Sequence, residues 1–167
     1  TTGAQNVAIG MYGLANNTTA SENFAGGYNA LGANTTGASN IGIGHRTLQS
    51  NTTASNNTAV GFEALKSNTT AGSSVAIGTS AGYSQTTNGQ NVFVGQSAGY
   101  YTDGYKNCYV GFNAGDAMTT GDNNTIIGSF SGNENGLDIR TSNNQIVLSD
   151  GDGNVRITND ASYTVVN

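Results

Sequence analysis

Few side chains of this 167-residue chain belong to types that do chemistry, and those few are isolated from one another. His45 is the only histidine and Cys108 the only cysteine, so neither a histidine metal cluster nor an intrachain disulfide can form. The acidic residue nearest to His45 in sequence is Glu63. No G-x-S-x-G, P-loop or H-E-x-x-H motif is present. We therefore expect no catalytic residues, no cofactor and no enzyme activity.

One short segment has the spacing of a metal-binding loop. Asp150, Asp152 and Asn154 alternate with glycines, and oxygen ligands at alternate positions are typical of calcium loops. The bidentate Glu that closes such loops is missing, and the segment follows a run of β-forming residues. The three residues are the candidate calcium ligands of the chain, and a simple hairpin turn is the alternative interpretation.

A second group that could bind a ligand is aromatic. Six Phe and Tyr residues crowd the stretch 93–112. Exposed rings beside polar groups suit the faces of sugars. We take Tyr83, Tyr100, Tyr101 and Tyr105 as candidate contacts with a carbohydrate or another partner. The alternative is that the rings of this stretch fill the protein core.

All these residues lie in or beside a repeat that spans most of the chain. Each copy begins with Asn, or once with Ser74, continues with three small or apolar residues and ends with Gly. The asparagines are Asn6, Asn23, Asn40, Asn57, Asn91, Asn107 and Asn124, and the glycines are Gly10, Gly27, Gly44, Gly61, Gly78, Gly95, Gly111 and Gly128. The glycines recur every 17 residues, once after 16, and a divergent ninth copy ends at Leu148 after a step of 20. A fixed short period indicates one unit stacked on copies of itself, so the sequence predicts an all-β fold, a repetitive β-solenoid or β-roll of about nine 17-residue coils.

Residues also keep phase within each coil. In the first four copies a Leu follows the Gly by four residues, and an Asn-Thr-Thr triplet follows it by seven. Stacked coils bring identical residues over one another about 4.8 Å apart. We therefore expect the repeat asparagines to form a hydrogen-bonded ladder and the repeat glycines to mark a positive φ or a close backbone approach. Asn-x-Thr triplets such as that at Asn34 also fit the N-glycosylation pattern, but a ladder explains their recurrence without a glycan.

The array changes midway, which divides the chain into three parts. Residues 1–73 carry the leucines and Asn-Thr-Thr triplets, whereas residues 74–143 have Gly at the leucine place and most of the aromatics. We expect aromatics to replace the lost leucines there. Within this array of residues 1–143, an insertion near Asn133 lengthens the last step. Residues 144–167 are predicted to be a terminal β-hairpin and tail.

The polarity of each coil bears on how its core is closed. A coil offers one apolar strand and one Ala-Leu pair, and its Asn-Thr-Thr half is polar throughout. Two or three buried aliphatic side chains, at roughly 1.5–3 kcal/mol each, must offset the ordering of 17 residues. We therefore expect several copies to turn their apolar strands toward a common axis, as an intertwined or side-by-side homotrimer. A single-chain solenoid is the alternative.

Charge and hydropathy exclude some partners. The net charge is −5 and the five basic residues are scattered, which argues against nucleic-acid binding. No apolar run approaches the roughly 20 residues of a membrane-spanning helix, so we expect no membrane insertion. Because the chain begins with Thr1 rather than Met, we expect a processed piece of a longer protein.

The repeat resembles known fibre proteins. The segment NTAVGFEALKSNTTAGS, which begins at Asn57, resembles the head repeats of trimeric autotransporter adhesins and, more closely, related arrays of bacteriophage tail fibres. The shorter segments that begin at Asn6, Ser74 and Asn124 share this resemblance. The phrase NQIVLSDGDGNVRI from Asn144 resembles the segment that precedes a C-terminal chaperone domain in such fibres. Over residues 5–148 the resemblance implies a trimeric left-handed β-roll, extracellular or on a virion surface. The adhesin heads use shorter repeats, and this sequence contains no chaperone domain.

These observations lead to one functional expectation and two alternatives. We expect a non-enzymatic structural or adhesive fibre segment that serves host attachment and contacts cell-surface glycans. One alternative is an extracellular filament whose subunits stack end to end. The other is a glycan-processing fibre tip that uses acidic residues of the region 122–160.

Overall fold

The computed structural model describes residues 2–160 and 163–166, and every regular element in that part of the chain is a β-strand. The first eight strands are three residues long and follow the repeat: β1 (Val7–Ile9), β2 (Phe24–Gly26), β3 (Ile41–Ile43), β4 (Thr58–Val60), β5 (Val75–Ile77), β6 (Val92–Val94), β7 (Cys108–Val110) and β8 (Thr125–Ile127). The others are β9 (Asn133–Glu134), β10 (Leu137–Asp138), β11 (Ile146–Ser149), β12 (Val155–Asp160) and β13 (Tyr163–Val166).

The repeat strands stack in chain order. β1 to β8 and then β11 pair in parallel, and β12 and β13 extend the last edge in antiparallel pairing. Equivalent residues lie opposite one another, as Ala8 and Ala25 or Ala59 and Ala76. The predicted all-β solenoid with a period of about 17 residues is therefore confirmed, with eight turns of chain between nine stacked strands. The insertion before β11 contains the separate hairpin of β9 and β10.

Strand alternation decides which residues form the core. The middle residue of each three-residue strand points inward, and the first and third point outward. In the fourth coil Ala59, Ala64, Leu65 and Ala71 are buried. The four repeat leucines are an exception to backbone preference, because they have φ angles of 49–52°. This left-handed conformation costs an L-residue roughly 1–2 kcal/mol, which burial of the side chain at roughly 1.5–3 kcal/mol offsets.

The repeat asparagines do form a ladder, and its rungs join side chain to backbone. The Asn40 Oδ1 accepts a hydrogen bond from the backbone N–H of Asn57 at 3.0 Å, and the Asn40 Nδ2 donates to the carbonyl of Ala54 at 2.8 Å. The same pair of bonds recurs at the other repeat asparagines from Asn6 to Asn124. Each amide thus satisfies one backbone donor and one acceptor that the bend would leave buried and unpaired.

The asparagines of the Asn-Thr-Thr triplets point inward as well. Asn34, Asn51 and Asn68 are fully buried, and each Nδ2 of Asn51 and Asn68 donates to the Oδ1 of the previous coil at 2.8 and 3.0 Å. These amides therefore close the polar wall of the coil by hydrogen bonding, whereas the homotrimer stays a prediction. In the part of the chain that the structure describes, one chain forms each complete coil. Burial also makes Asn34 inaccessible to glycosylation in the folded state.

The repeat glycines combine a positive φ with a close approach. Gly61 has φ +135°, and a Cβ there would lie 2.4 Å from the carbonyl oxygen of Gly78 in the next coil. Seven further glycines repeat this conformation with φ between 110° and 141°: Gly10, Gly27, Gly44, Gly78, Gly95, Gly111 and Gly128. Both explanations expected from the sequence hold at once.

Aromatic rings replace leucines in the core of the second half. Phe93 and Tyr109 occupy the middle strand position that holds Ala or Gly in the earlier coils, and both are fully buried. A Cβ on Gly99 would lie 2.3 Å from the Phe93 ring, and one on Gly115 would lie 2.5 Å from the Tyr109 ring. The core volume that is lost where Leu becomes Gly is therefore filled by the aromatic rings of the strands. The stacked sheet continues without interruption from the first half of the array to the second.

Candidate functional site

The outward side of the stacked sheet is an exposed apolar surface. The first and third residues of β1 to β8 and β11 form two columns, and neither column contains a charged residue. We call these two columns the outward face. Its most exposed members include Ile9 at 62 %, Val7, Ile41, Ile43, Ile77, Val92, Ile127 and Ile146. Nine rows at about 4.8 Å give a strip about 40 Å long. Extended exposed apolar surface is typical of interaction sites.

Cys108 belongs to this outward face. It is the first residue of β7, is partly exposed and has a free thiol. Because Cys108 occupies a strand position that holds Val or Thr in other copies, the sequence alone predicts a small core residue here. The structure differs because the inward place of β7 belongs to Tyr109.

Exposed aromatic residues continue the apolar surface beyond the strand end. The residue that follows each repeat glycine is Met11, Tyr28, His45 or Phe62 in the first four coils, and all four are exposed. The His45 ring lies between those of Tyr28 and Phe62, with centroids 5.2 Å away on both sides and interplanar angles of 16° and 9°. The side chain of His45 thus packs in an aromatic stack.

The acid nearest to His45 in sequence makes other contacts. The Glu63 carboxylate accepts from the Lys66 Nζ at 2.8 Å and from Arg46 at 3.4 Å. Partial burial raises the pKa of Glu63, but the hydrogen bonds and charges of Lys66 and Arg46 outweigh it and hold the pKa below its ordinary value. Glu63 is therefore a fixed anion between two cations, and it does not serve as a base for His45.

Three of the four candidate tyrosines lie together. The rings of Tyr83 and Tyr100 stack in parallel with centroids 4.8 Å apart, and Tyr101 meets Tyr100 edge-on at 4.7 Å. The Lys66 Nζ lies over Tyr83, 5.0 Å from the ring centroid. Tyr105 lies apart from this group, with the Lys106 Nζ 5.1 Å from its ring centroid. None of the four is a core residue, so the core interpretation applies to Phe93 and Tyr109 instead.

A cleft of about 740 Å³ opens beside this tyrosine group. It is lined by Tyr101, Ala117, Thr119, Asp138, Arg140 and Thr141, and we call it the Tyr101 cleft. Its polar side comes from the insertion, where Arg140 holds Asp138 in a two-pronged ion pair at 3.0 and 2.7 Å. The sequence pointed to Tyr101, but it gave no sign that the insertion would supply polar residues to the same cleft.

The candidate calcium ligands form a capped turn. The Asp150 carboxylate accepts hydrogen bonds from the backbone of Asp152 and Asn154, from the Asn154 amide and from Arg156. The Arg156 hydrogen bond is the main reason that the pKa of Asp150 is lowered to about 2. Among residues 2–160 and 163–166, no group of three or more His, Cys, Asp or Glu side chains is arranged to hold a metal ion. Asp150 therefore stabilises the turn between β11 and β12.

Two carboxylates come together elsewhere. Asp116 and Glu134 line a second cavity of about 400 Å³ with Phe112 and Asp152. Burial, and then the charge of Glu134, raise the pKa of Asp116. The sequence placed the acids of interest between 122 and 160 and so missed Asp116, which enters the group because its coil lies next to the insertion.

The class of the protein follows from its architecture. In-register coils, two buried amide ladders and an outward apolar strip define a β-solenoid repeat protein. No protein-family model, curated protein or solved structure matches the chain. The part of the chain that the structure describes contains no helix long and apolar enough to cross a membrane.

Proposed function

We propose that this chain is a non-enzymatic structural or adhesive segment of an extracellular fibre, such as a phage tail fibre or a bacterial surface adhesin, and that it assembles side by side as a homotrimer. The observation that carries the proposal is the outward face. A rigid rod with an uncharged apolar strip along its whole length suits lateral association with copies of itself.

The shape of the apolar surface favours two neighbours over one. The outward face is only two columns of side chains wide, and the exposed residues after the repeat glycines extend it around the bend. One flat partner would cover the strip and leave Met11, Tyr28 and Phe62 in water. Two partners arranged around a threefold axis would cover both sides of the bend. Because each chain already encloses its own core, the copies are expected to associate as preformed rods.

Sedimentation equilibrium of the purified chain tests the proposal. We expect a species of three times the 16.9 kDa chain mass. Ile43→Lys and Ile77→Lys place charges on the outward face and should shift the equilibrium toward monomer. Thr70→Lys is the matched control, because Thr70 is exposed on another side of the coil. A wild-type monomer at micromolar concentration would contradict the homotrimer.

Crosslinking at Cys108 provides an independent test of the same assembly. In a side-by-side trimer the three copies of this outward-facing thiol approach the common axis. A trivalent maleimide should then join three chains into one band on a denaturing gel, and Ile43→Lys should suppress that band. Electron microscopy separates the trimer from the end-to-end filament, because the trimer gives rods of constant length.

A further inference from the structure

The Tyr101 cleft has the size of a small-ligand site. Its volume is about 740 Å³, within the range of roughly 300–1,000 Å³ that small-molecule sites occupy. It lies where the insertion that contains β9 and β10 meets the turns that carry Tyr101 and Thr119. The insertion is the single departure of this size from the regular coil, so the cleft occurs once along the rod described here.

One wall of the cleft is a supported aromatic ring. Tyr101 is 59 % exposed, yet its position is fixed by the edge contact with Tyr100, which in turn stacks on Tyr83. The hydroxyl of Tyr83 accepts a hydrogen bond from the Lys66 Nζ at 3.1 Å. Because the ring is already ordered, a ligand that stacks on it loses little side-chain entropy.

The insertion supplies a polar part of the cleft lining. Arg140 uses its Nε and one Nη2 hydrogen on Asp138, and a guanidinium has five N–H donors in all, so donors remain for a ligand. The carboxylate of Asp138 retains acceptor capacity. The insertion itself is tied to the coil, since both the backbone N–H and the Oγ1 of Thr119 donate to the carbonyl of Arg140 at 2.9 and 3.2 Å.

We propose that the Tyr101 cleft binds a neutral pyranose ring of a surface glycan, with the apolar face of the sugar on Tyr101 and its hydroxyls on Asp138 and Arg140. A sugar presents one apolar face and a rim of donors and acceptors, and the cleft has the complementary surfaces. Asp138 and Arg140 neutralise one another, which favours an uncharged sugar over an acidic one. This inference rests on the proposed function of the fibre segment and names the ligand class and the binding site.

Saturation-transfer NMR with the full chain tests the site. The probes are the methyl pyranosides of galactose, glucose, mannose and N-acetylglucosamine, each at up to about 10 mM. We expect transfer to at least one of them, and we expect Tyr101→Ala to weaken that binding about tenfold. Asp138→Asn should weaken it as well. Tyr12→Ala is the matched control, because Tyr12 is a similarly exposed ring with an edge contact to Tyr28 and lies outside the cleft, and it should bind as the wild type does.

Circular dichroism and sedimentation check that each variant keeps the fold and the mass of the wild type. Each variant should match the wild-type spectrum and mass, since the replaced side chains are exposed. Equal affinity of wild type and Tyr101→Ala would overturn the inference, and so would the absence of transfer from all four pyranosides. Sugar binding by a monomer would contradict the homotrimer and support the sugar site. A trimer that binds none of the sugars would support the homotrimer and contradict the sugar site.

Discussion

Ser74 and Gln85 face one another across the core of the fifth coil, with 3.2 Å between the Ser74 Oγ and the Gln85 Nε2. The preceding coil has asparagines, Asn57 and Asn68, at both places. Relative to these asparagines, Ser74 has a shorter side chain, and Gln85 has a side chain that is longer by one methylene. The Gln85 Oε1 also accepts from the Nδ2 of Asn91 at 2.8 Å, so the two amide ladders are joined at this coil.

This pairing predicts that the two positions are energetically coupled. Gln85→Asn takes the acceptor away from the buried Ser74 hydroxyl and removes one of the hydrogen bonds of the Asn91 Nδ2, at a cost of about 1–3 kcal/mol. Ser74→Asn crowds Gln85 and should cost about 1–3 kcal/mol. The double variant restores the arrangement of the fourth coil, so it should be more stable than either single variant. Urea unfolding of the four proteins measures the coupling. Additive losses would show that the two positions act independently.

A second exchange of volume is predicted between Phe93 and Gly99. Phe93→Ala should cost about 3–5 kcal/mol through the cavity it leaves, and Gly99→Leu should clash with the Phe93 ring, which lies 2.3 Å from the added Cβ. The double variant recreates the pair of Ala59 and Leu65 in the fourth coil. Gly99 has φ +64° and Leu65 has φ 49°, so the backbone already accepts a leucine. We expect thermal melting to show partial recovery in the double variant. A double variant below both single variants would refute the exchange.

The stacking of the coils was predictable from the sequence, whereas the wall that closes each coil was not. The period set the strands and their register because identical residues must stack at every turn. The recurrence of the Asn-Thr-Thr triplets predicted a ladder at Asn51 and Asn68, but the hydropathy of this half gave no sign that the ladder would close the core. They are buried because each amide finds a partner in the next coil, and such long-range pairing has no local signature. The left-handed φ of Leu65 likewise contradicts local preference.

The candidate site shows a similar division. Composition identified the tyrosine-rich stretch, but it did not distinguish the buried Tyr109 from the exposed Tyr101. That distinction depends on strand alternation at Tyr109 and on the loop that follows Gly99. The partner residues Asp138 and Arg140 come from an insertion with no repeat to align it, so only the folded chain places them beside Tyr101.

Replacement of a repeat glycine should be far more damaging than its small volume suggests. Gly61→Ala requires an L-residue at φ +135° and places a Cβ 2.4 Å from the carbonyl oxygen of Gly78. We expect a loss of at least about 3 kcal/mol, measured by urea unfolding. Gly151→Ala is the control, because a Cβ there meets nothing within 4 Å. A Gly61→Ala variant as stable as this control would contradict the role of the bend.

The hydroxyl of Tyr109 is predicted to contribute nothing to stability. It is buried beside Thr102 and Asn124, and among the described residues it makes no hydrogen bond of ordinary geometry. Burial also raises the pKa of the Tyr109 phenol. Tyr109→Phe should therefore be neutral or stabilising by up to about 1 kcal/mol, whereas Tyr109→Ala should cost about 3–5 kcal/mol. Calorimetric melting compares them. A marked loss in Tyr109→Phe would indicate that the hydroxyl is bonded in solution.

Glu63 and Asp116 should give stability differences of opposite sign that both fade in acid. The pKa of Glu63 is lowered in the fold, so its ionised form stabilises the protein above the ordinary value of 4.5, and this contribution is lost as the pH falls through the lowered pKa. Glu63→Gln should therefore cost up to about 1 kcal/mol at pH 7. The pKa of Asp116 is raised, so its ionised form destabilises the fold as the pH rises through that pKa. Asp116→Asn should be more stable than wild type at neutral pH. Urea unfolding across the acid range should show both differences shrinking toward low pH, and parallel curves would contradict the assignment of either carboxylate.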